Sequence, residues 1–217
     1  KHWSRGLGDV YKRQVFTDGI SNITKEDFDW AKRLNKTIKL VAQIDNSMDG
    51  FNARVYPVLV DSKHPLAAIR GALNAVLVEG ENINQLVFSG PGAGSAPTAS
   101  AIIGDVFSAC HQMLSSQTNW YPLRTPKSGD KEFKDVQSSW FIRLSVKDEP
   151  GVLATIAGLF GENNVSIESV IQEGRGDNAE LVLVTHEAEE NNLTSSIESI
   201  SKLSSVSSVT STIRVYI

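Results

Sequence analysis

Apolar and polar positions in the second half of the chain fall into a repeating order. Residues 140–146 alternate as a strand does, with successive side chains on opposite faces. Val152, Ile156, Leu159 and Phe160 then recur at helical spacing. Asn163-Asn164 can end that helix. Residues 165–172 and 179–185 read as two further strands, joined by a turn through Gly174-Arg-Gly-Asp-Asn178. Leu193, Ile197, Ile200 and Leu203 share one face of a second helix, and residues 209–216 form a last strand. The order β-α-β-β-α-β predicts an antiparallel, ferredoxin-like sheet with both helices on one face.

The first half is mixed. Thr24, with Asp27 three residues on, predicts a capped helix start, and Phe28, Ala31 and Leu34 share the face behind it. In residues 36–44, Ile38, Leu40, Ala42 and Ile44 fall on one side of a half-buried strand. Asp49-Gly50 marks a turn, and residues 53–60 are the expected antiparallel partner. Pro57 has no N–H for a ladder, which predicts an edge strand or a bulge. His64-Pro65 breaks the chain, and residues 66–73 read as a short helix. Residues 74–79 and 85–88 read as strands. Ala99, Ile102, Ile103, Val106, Phe107, Cys110, Met113 and Leu114 then form one face of a long helix, where Cys110 is expected to be a buried structural thiol. The fold class is α+β.

Composition divides the chain further. Residues 1–14 have no clear period and are expected to be a disordered or non-native leader. Residues 15–114 form the first expected domain. Residues 115–138 carry prolines, a glycine and scattered charge, and read as a linker before a domain at 139–217. The last 80 residues carry 5 Lys/Arg against 11 Asp/Glu, and the rest 16 against 14. Neither part has a basic stripe, which argues against nucleic-acid binding. No apolar run approaches a membrane span and no secretory signal is evident; with a single cysteine this fits a cytoplasmic protein. No metal-ligand spacing stands out.

The candidate chemistry centres on Phe88-Ser-Gly-Pro-Gly-Ala-Gly-Ser-Ala-Pro-Thr-Ala-Ser-Ala101. Strand, glycine turn and helix start can present backbone amides to a ligand. The alternative is a tight turn needed only for packing. The pattern is neither a dinucleotide fingerprint nor a Walker loop. His64 reads as a turn-shaping residue before a proline, since no acid or cysteine at a recognisable spacing supports catalysis. Glu79 and Asp105 read as solvated acids.

Residues Gly90 to Ala99 resemble the signature turn of homoserine dehydrogenases. Gly19-Ile-Ser-Asn-Ile-Thr24, His64-Pro-Leu-Ala67 and Asn74-Ala-Val-Leu-Val-Glu-Gly80 stand in that family's order and spacing. Val146-Lys-Asp-Glu-Pro-Gly-Val-Leu-Ala154 is similar to the opening of an ACT domain. The resemblance implies the C-terminal part of a catalytic domain, a mixed sheet with helices, followed by a ferredoxin-like ACT domain. It implies backbone contact of Gly94, with Gly92 and Ala93, to the NADP or NAD of a full-length enzyme that interconverts L-homoserine and L-aspartate 4-semialdehyde. It further implies a homo-oligomer and an amino-acid effector, L-threonine as the first guess, near Asp148, Gly151, Val152 and Asn164. Backbone N–H groups around Gly151 suit a carboxylate. The family's nucleotide-binding domain, catalytic lysines and substrate-binding acids lie upstream of the Gly-Ile-Ser motif, so no catalytic residue is assigned and this chain alone is expected to be inactive. The rival reading is a stand-alone amino-acid-binding regulator with the first half as a dimerisation platform.

Overall fold

The computed structural model describes residues 15–47, 50–115, 132–176 and 179–216. The expected leader at 1–14, the turn residue Asp49 and residues 116–131 of the expected linker lie outside the described residues. In chain order the elements begin with β1 (Phe16–Thr17), α1 (Lys25–Arg33), β2 (Lys36–Ser47), β3 (Gly50–Asp61), β4 (Leu73–Gly80), β5 (Asn84–Pro91) and α2 (Ser95–Ser115). They continue with β6 (Gln137–Val146), α3 (Val152–Glu162), β7 (Ile167–Glu173), β8 (Ala179–Thr185), β9 (Ala188–Glu189), α4 (Glu190–Ile200) and β10 (Val206–Val215). Short 3-10 turns cover Pro65–Ala68, where a longer helix was expected, and Phe133–Asp135, inside the expected linker.

These elements form two compact units, 62–126 and the remainder. The strand order β10-β6-β8-β7 is the antiparallel ferredoxin-like sheet read from the sequence. The sheet does not stop at β10. β3 pairs with it in parallel, Arg214 opposite Val58 and Val215 opposite Leu59, and β2 pairs antiparallel with β3 along its whole length. Residues 15–61 thus extend the sheet of the C-terminal domain.

Pro57 explains how the join is made. β1 meets β3 at Arg54 and Val55, and β10 meets the same side of β3 at Val58 and Leu59. The Val55 carbonyl accepts from the Asp18 N–H and that of Leu59 from Tyr216, so Pro57 sits where one partner ends and the next begins. By the two-residue period of a strand, its missing N–H falls in that gap. An interior strand therefore tolerates a proline without an edge or bulge.

The sheet carries apolar cores on both faces. One holds Ile142, Leu144, Leu181 and Leu183 of the strands with Ile156 and Phe160 of α3 and Leu193 and Ile200 of α4. The other holds Phe141, Val182, Val184 and Ile213 with Trp30 and Ala31 of α1 and Leu59 of β3. The helix from the first half thus covers the face that the two expected helices leave open. Its buried side is Asp27, Trp30 and Ala31, not the expected Phe28, which is 45% exposed.

Polar groups aim α1 at the sheet. Asp27, fully buried, accepts from the Thr24 N–H at 2.7 Å and from its hydroxyl at 3.1 Å, the expected helix start. Its second oxygen lies 3.5 Å from Arg143 Nε, which is 3.2 Å from Glu180. Glu180 in turn accepts from the Trp30 indole at 2.9 Å. The pairing offsets part of the penalty of leaving water, while Asp27 Oδ1 accepts and Arg143 Nε donates no hydrogen bond among the described residues. A second buried pair closes the sheet's other end. Arg214 donates twice to Glu190, at 2.7 and 2.8 Å, amid the rings of Phe16, Tyr56, Phe133 and Trp140.

In the smaller unit, β4 and β5 form a hairpin from Leu73 opposite Pro91 to Gly80 opposite Asn84. Apolar side chains here face outward, including Val76, Phe88, Ile102, Phe107 and Met113. Cys110 is exposed, contrary to expectation, because among the described residues nothing covers that face of α2. On the side of β2 that carries its apolar alternation, Ile38 packs against the second core while Leu40 and Ile44 are exposed, at 57% and 56%, so the strand is covered at its start only.

Candidate functional site

The glycine turn lies between β5 and α2. The Gly92 N–H donates to the Ala72 carbonyl at 3.3 Å, and the Thr98 N–H donates to the Gly94 carbonyl at 3.1 Å. Gly94 has φ +128°, a conformation that side chains disfavour. Gly92, Ala93 and Gly94 are all exposed, and the first N–H groups of α2 follow at once. A helix start leaves its first N–H groups without partners in the helix, and such groups favour anions or carbonyl oxygens. The structure thus brings the three sequence-assigned residues into one exposed backbone turn. His64 caps the 3-10 turn, its Nδ1 accepting from the Leu66 N–H at 3.2 Å. Glu79 accepts from Gln85 on the neighbouring strand.

The second candidate lies at the start of α3. The Asp148 N–H donates to the Gly176 carbonyl at 2.9 Å, and Asp148 Oδ1 accepts from Gln172 at 2.8 Å. Gly151 caps α3 with φ +93°, and its carbonyl accepts from both the N–H and the hydroxyl of Thr155. Val152 is buried and anchors the loop to the core. Asp148, Gly151 and Val152 therefore share one loop. Asn164 does not join them. It sits past the other end of α3 with φ +57°, and the helix between spans 11 residues, about 16 Å at 1.5 Å per residue.

Sequence reasoning missed a third feature. A cavity of about 490 Å³ opens beside the Pro57 gap, lined by residues 18, 19 and 21–24 and by Val209 to Thr212. Its lining residues include Asp18, Ser21, Thr24, Thr210, Ser211 and Thr212, of which the Thr24 hydroxyl donates to Asp27 and that of Thr210 to the Arg143 carbonyl. Asp18 is 3.7 Å from Arg214. In the first turn of α1, Glu26 is held below the ordinary carboxylate range chiefly by backbone N–H donation at the helix start. The Gly-Ile-Ser motif was the available signal, but only the fold shows that β10 forms the opposite wall.

A family profile described as homoserine dehydrogenase matches residues 7–107, beginning inside the expected leader, and an ACT-domain profile matches residues 140–205. Residues 7–107 belong to the homoserine dehydrogenase family, and residues 140–205 to the ACT domains. The homoserine dehydrogenase of Mycobacterium tuberculosis is 38% identical over 217 aligned positions, covering 93% of this chain and 48% of that protein. That of Bacillus subtilis is 35% identical over 205, covering 93% and 47%. The crystal structure of a homoserine dehydrogenase from Thiobacillus denitrificans superposes with a TM-score of 0.86 at 29% identity, over 94% of this chain and 48% of that one. The chain thus spans about half the length of the relatives it matches. Among the described residues no helix is long and apolar enough to cross a membrane, and no cluster of His, Cys, Asp or Glu is placed to hold a metal ion.

Proposed function

We propose that this chain supplies the cofactor-contacting turn and the effector domain of a homoserine dehydrogenase, which oxidises L-homoserine to L-aspartate 4-semialdehyde with NAD or NADP. The exposed backbone of Gly92, Ala93 and Gly94 at the start of α2 is the observation that carries the reading. In it, the Ala93 and Gly94 amides, with the Gly92 backbone beside them, meet the nicotinamide end of the cofactor, while the hydride chemistry takes place on residues of the other half of the enzyme. The chain alone then turns over no homoserine. The outward apolar side chains of α2 and of the β4–β5 hairpin fit this reading, since bare apolar surface favours burial against a partner.

In the same reading the ACT domain binds an amino acid, L-threonine first. The N–H of Gly151 at the helix start receives the carboxylate and Asp148 the ammonium, while Val152, whose N–H donates to the Glu149 carbonyl, holds the loop to the core. Asn164, a helix length away, serves the ligand held by a second copy of the chain, which makes the assembly a homo-oligomer. The test is thermal unfolding with threonine, methionine, serine and homoserine. A ligand at 100 times its Kd stabilises the folded state by about 2.7 kcal/mol, a readable rise in Tm. A rise with threonine that D148A abolishes supports the site. No rise with any of the four refutes the sensing role and leaves dimerisation as the domain's task.

A further inference from the structure

The glycine turn carries a side chain that the reading above leaves unused. Asn74 lies on β4 opposite Gly90. A Cβ built on Gly92 would stand 1.6 Å from Asn74 Nδ2 and 2.6 Å from its Cγ, so the carboxamide lies directly over the Gly92 Cα. Gly92, unlike Gly94, has no positive φ to demand glycine. What fills the side-chain position at residue 92 is therefore the Asn74 carboxamide, reaching across from the neighbouring strand.

Asn74 is exposed, and among the described residues its carboxamide has no hydrogen-bond partner. A primary amide carries two donors and an acceptor that can take two bonds. Here that inventory is held against Gly92, the first residue of the turn, and among the described residues none of it is spent on a hydrogen bond. We infer that Asn74 is a ligand-contact residue, whose carboxamide pairs reciprocally with the carboxamide of a nicotinamide ring docked on the turn. Each amide donates one N–H to the other's oxygen. A ring bearing a carboxylate instead would leave the Asn74 oxygen facing another oxygen, so the pair reads the amide as well as binding it. The inference rests on the turn being the nicotinamide site.

The test uses the full 217-residue chain, isotope-labelled and titrated with nicotinamide mononucleotide and, separately, nicotinic acid mononucleotide while backbone and side-chain amide resonances are followed. The expected result is a shift at Gly92 to Gly94 together with the Asn74 side-chain NH2, and about tenfold weaker binding of the acid, the scale of one hydrogen bond lost. N74A should erase that preference without changing the thermal unfolding of the chain, because the side chain is exposed. G92A should displace the carboxamide and mimic N74A, and should add nothing further when combined with it. If the glycine amides shift but Asn74 does not, and N74A binds both compounds as before, the inference fails while the cofactor role of the turn stands. If nothing shifts with either compound, both fail.

Discussion

Replacing Trp30 by alanine tests whether α1 is part of the C-terminal fold. Trp30 is 3% exposed and packs with Phe141, Val182 and Val184 on the sheet face opposite α3 and α4. Its indole N–H donates to Glu180 at 2.9 Å, and the Arg33 guanidinium lies 3.8 Å from its ring. Truncating a buried aromatic costs about 3–5 kcal/mol through lost transfer energy and the cavity left behind. Losing the bond to a carboxylate that also faces Arg143 places W30A toward the upper end, about 4–5 kcal/mol. That is a large share of the 5–15 kcal/mol typical of a domain. Phe28, two residues away and 45% exposed, is the control, and F28A should cost under about 1 kcal/mol. Urea unfolding followed by far-UV circular dichroism measures both. A loss below about 1 kcal/mol for W30A, or equal losses for the two variants, refutes the docking of α1 on the sheet.

Three further perturbations follow from the same structure. G94V forces a β-branched residue to φ +128° and should destabilise the start of α2 by roughly 1–3 kcal/mol, seen as faster hydrogen exchange there; unchanged exchange contradicts the conformation. E190Q weakens a buried partner of Arg214 and should cost about 3 kcal/mol in urea unfolding, whereas a near-neutral result would show that the surrounding rings and Asp18 suffice. Glu173 is held below the ordinary carboxylate range chiefly by its hydrogen bonds from Arg33. A carboxyl depressed in the folded state adds stability above its unfolded pKa and loses it as pH falls through the folded one. The Tm of the wild type should therefore drop more steeply than that of E173Q on acidification below about pH 4.5, and parallel curves would refute the pair's contribution.

The strand and helix order of the C-terminal domain was legible because its alternation and helical stripes are strong, and local signals such as Asn164 ending α3 and the Thr24–Asp27 start stood in the sequence. The join of residues 15–61 to that domain was not. Parallel pairing of β3 with β10 links residues more than 150 positions apart, and no local pattern encodes it. Phe28 outranked Trp30 on paper because Phe28, Ala31 and Leu34 make a regular stripe, whereas the buried side includes Asp27, whose value depends on Arg143 across the interface. Cys110 was misplaced for a related reason, since an apolar stripe shows that a face favours burial and not that a partner is at hand. At the glycine turn, the residues were visible in sequence. The Asn74 carboxamide over Gly92 required the hairpin register.

The most direct measurement is NAD(P)-dependent homoserine oxidation at 340 nm, for this chain alone and for the chain joined behind the N-terminal half of the Mycobacterium tuberculosis relative. The account predicts no turnover by the chain alone and cofactor reduction by the joined protein. Turnover by the chain alone, or a folded joined protein with no activity, would contradict it.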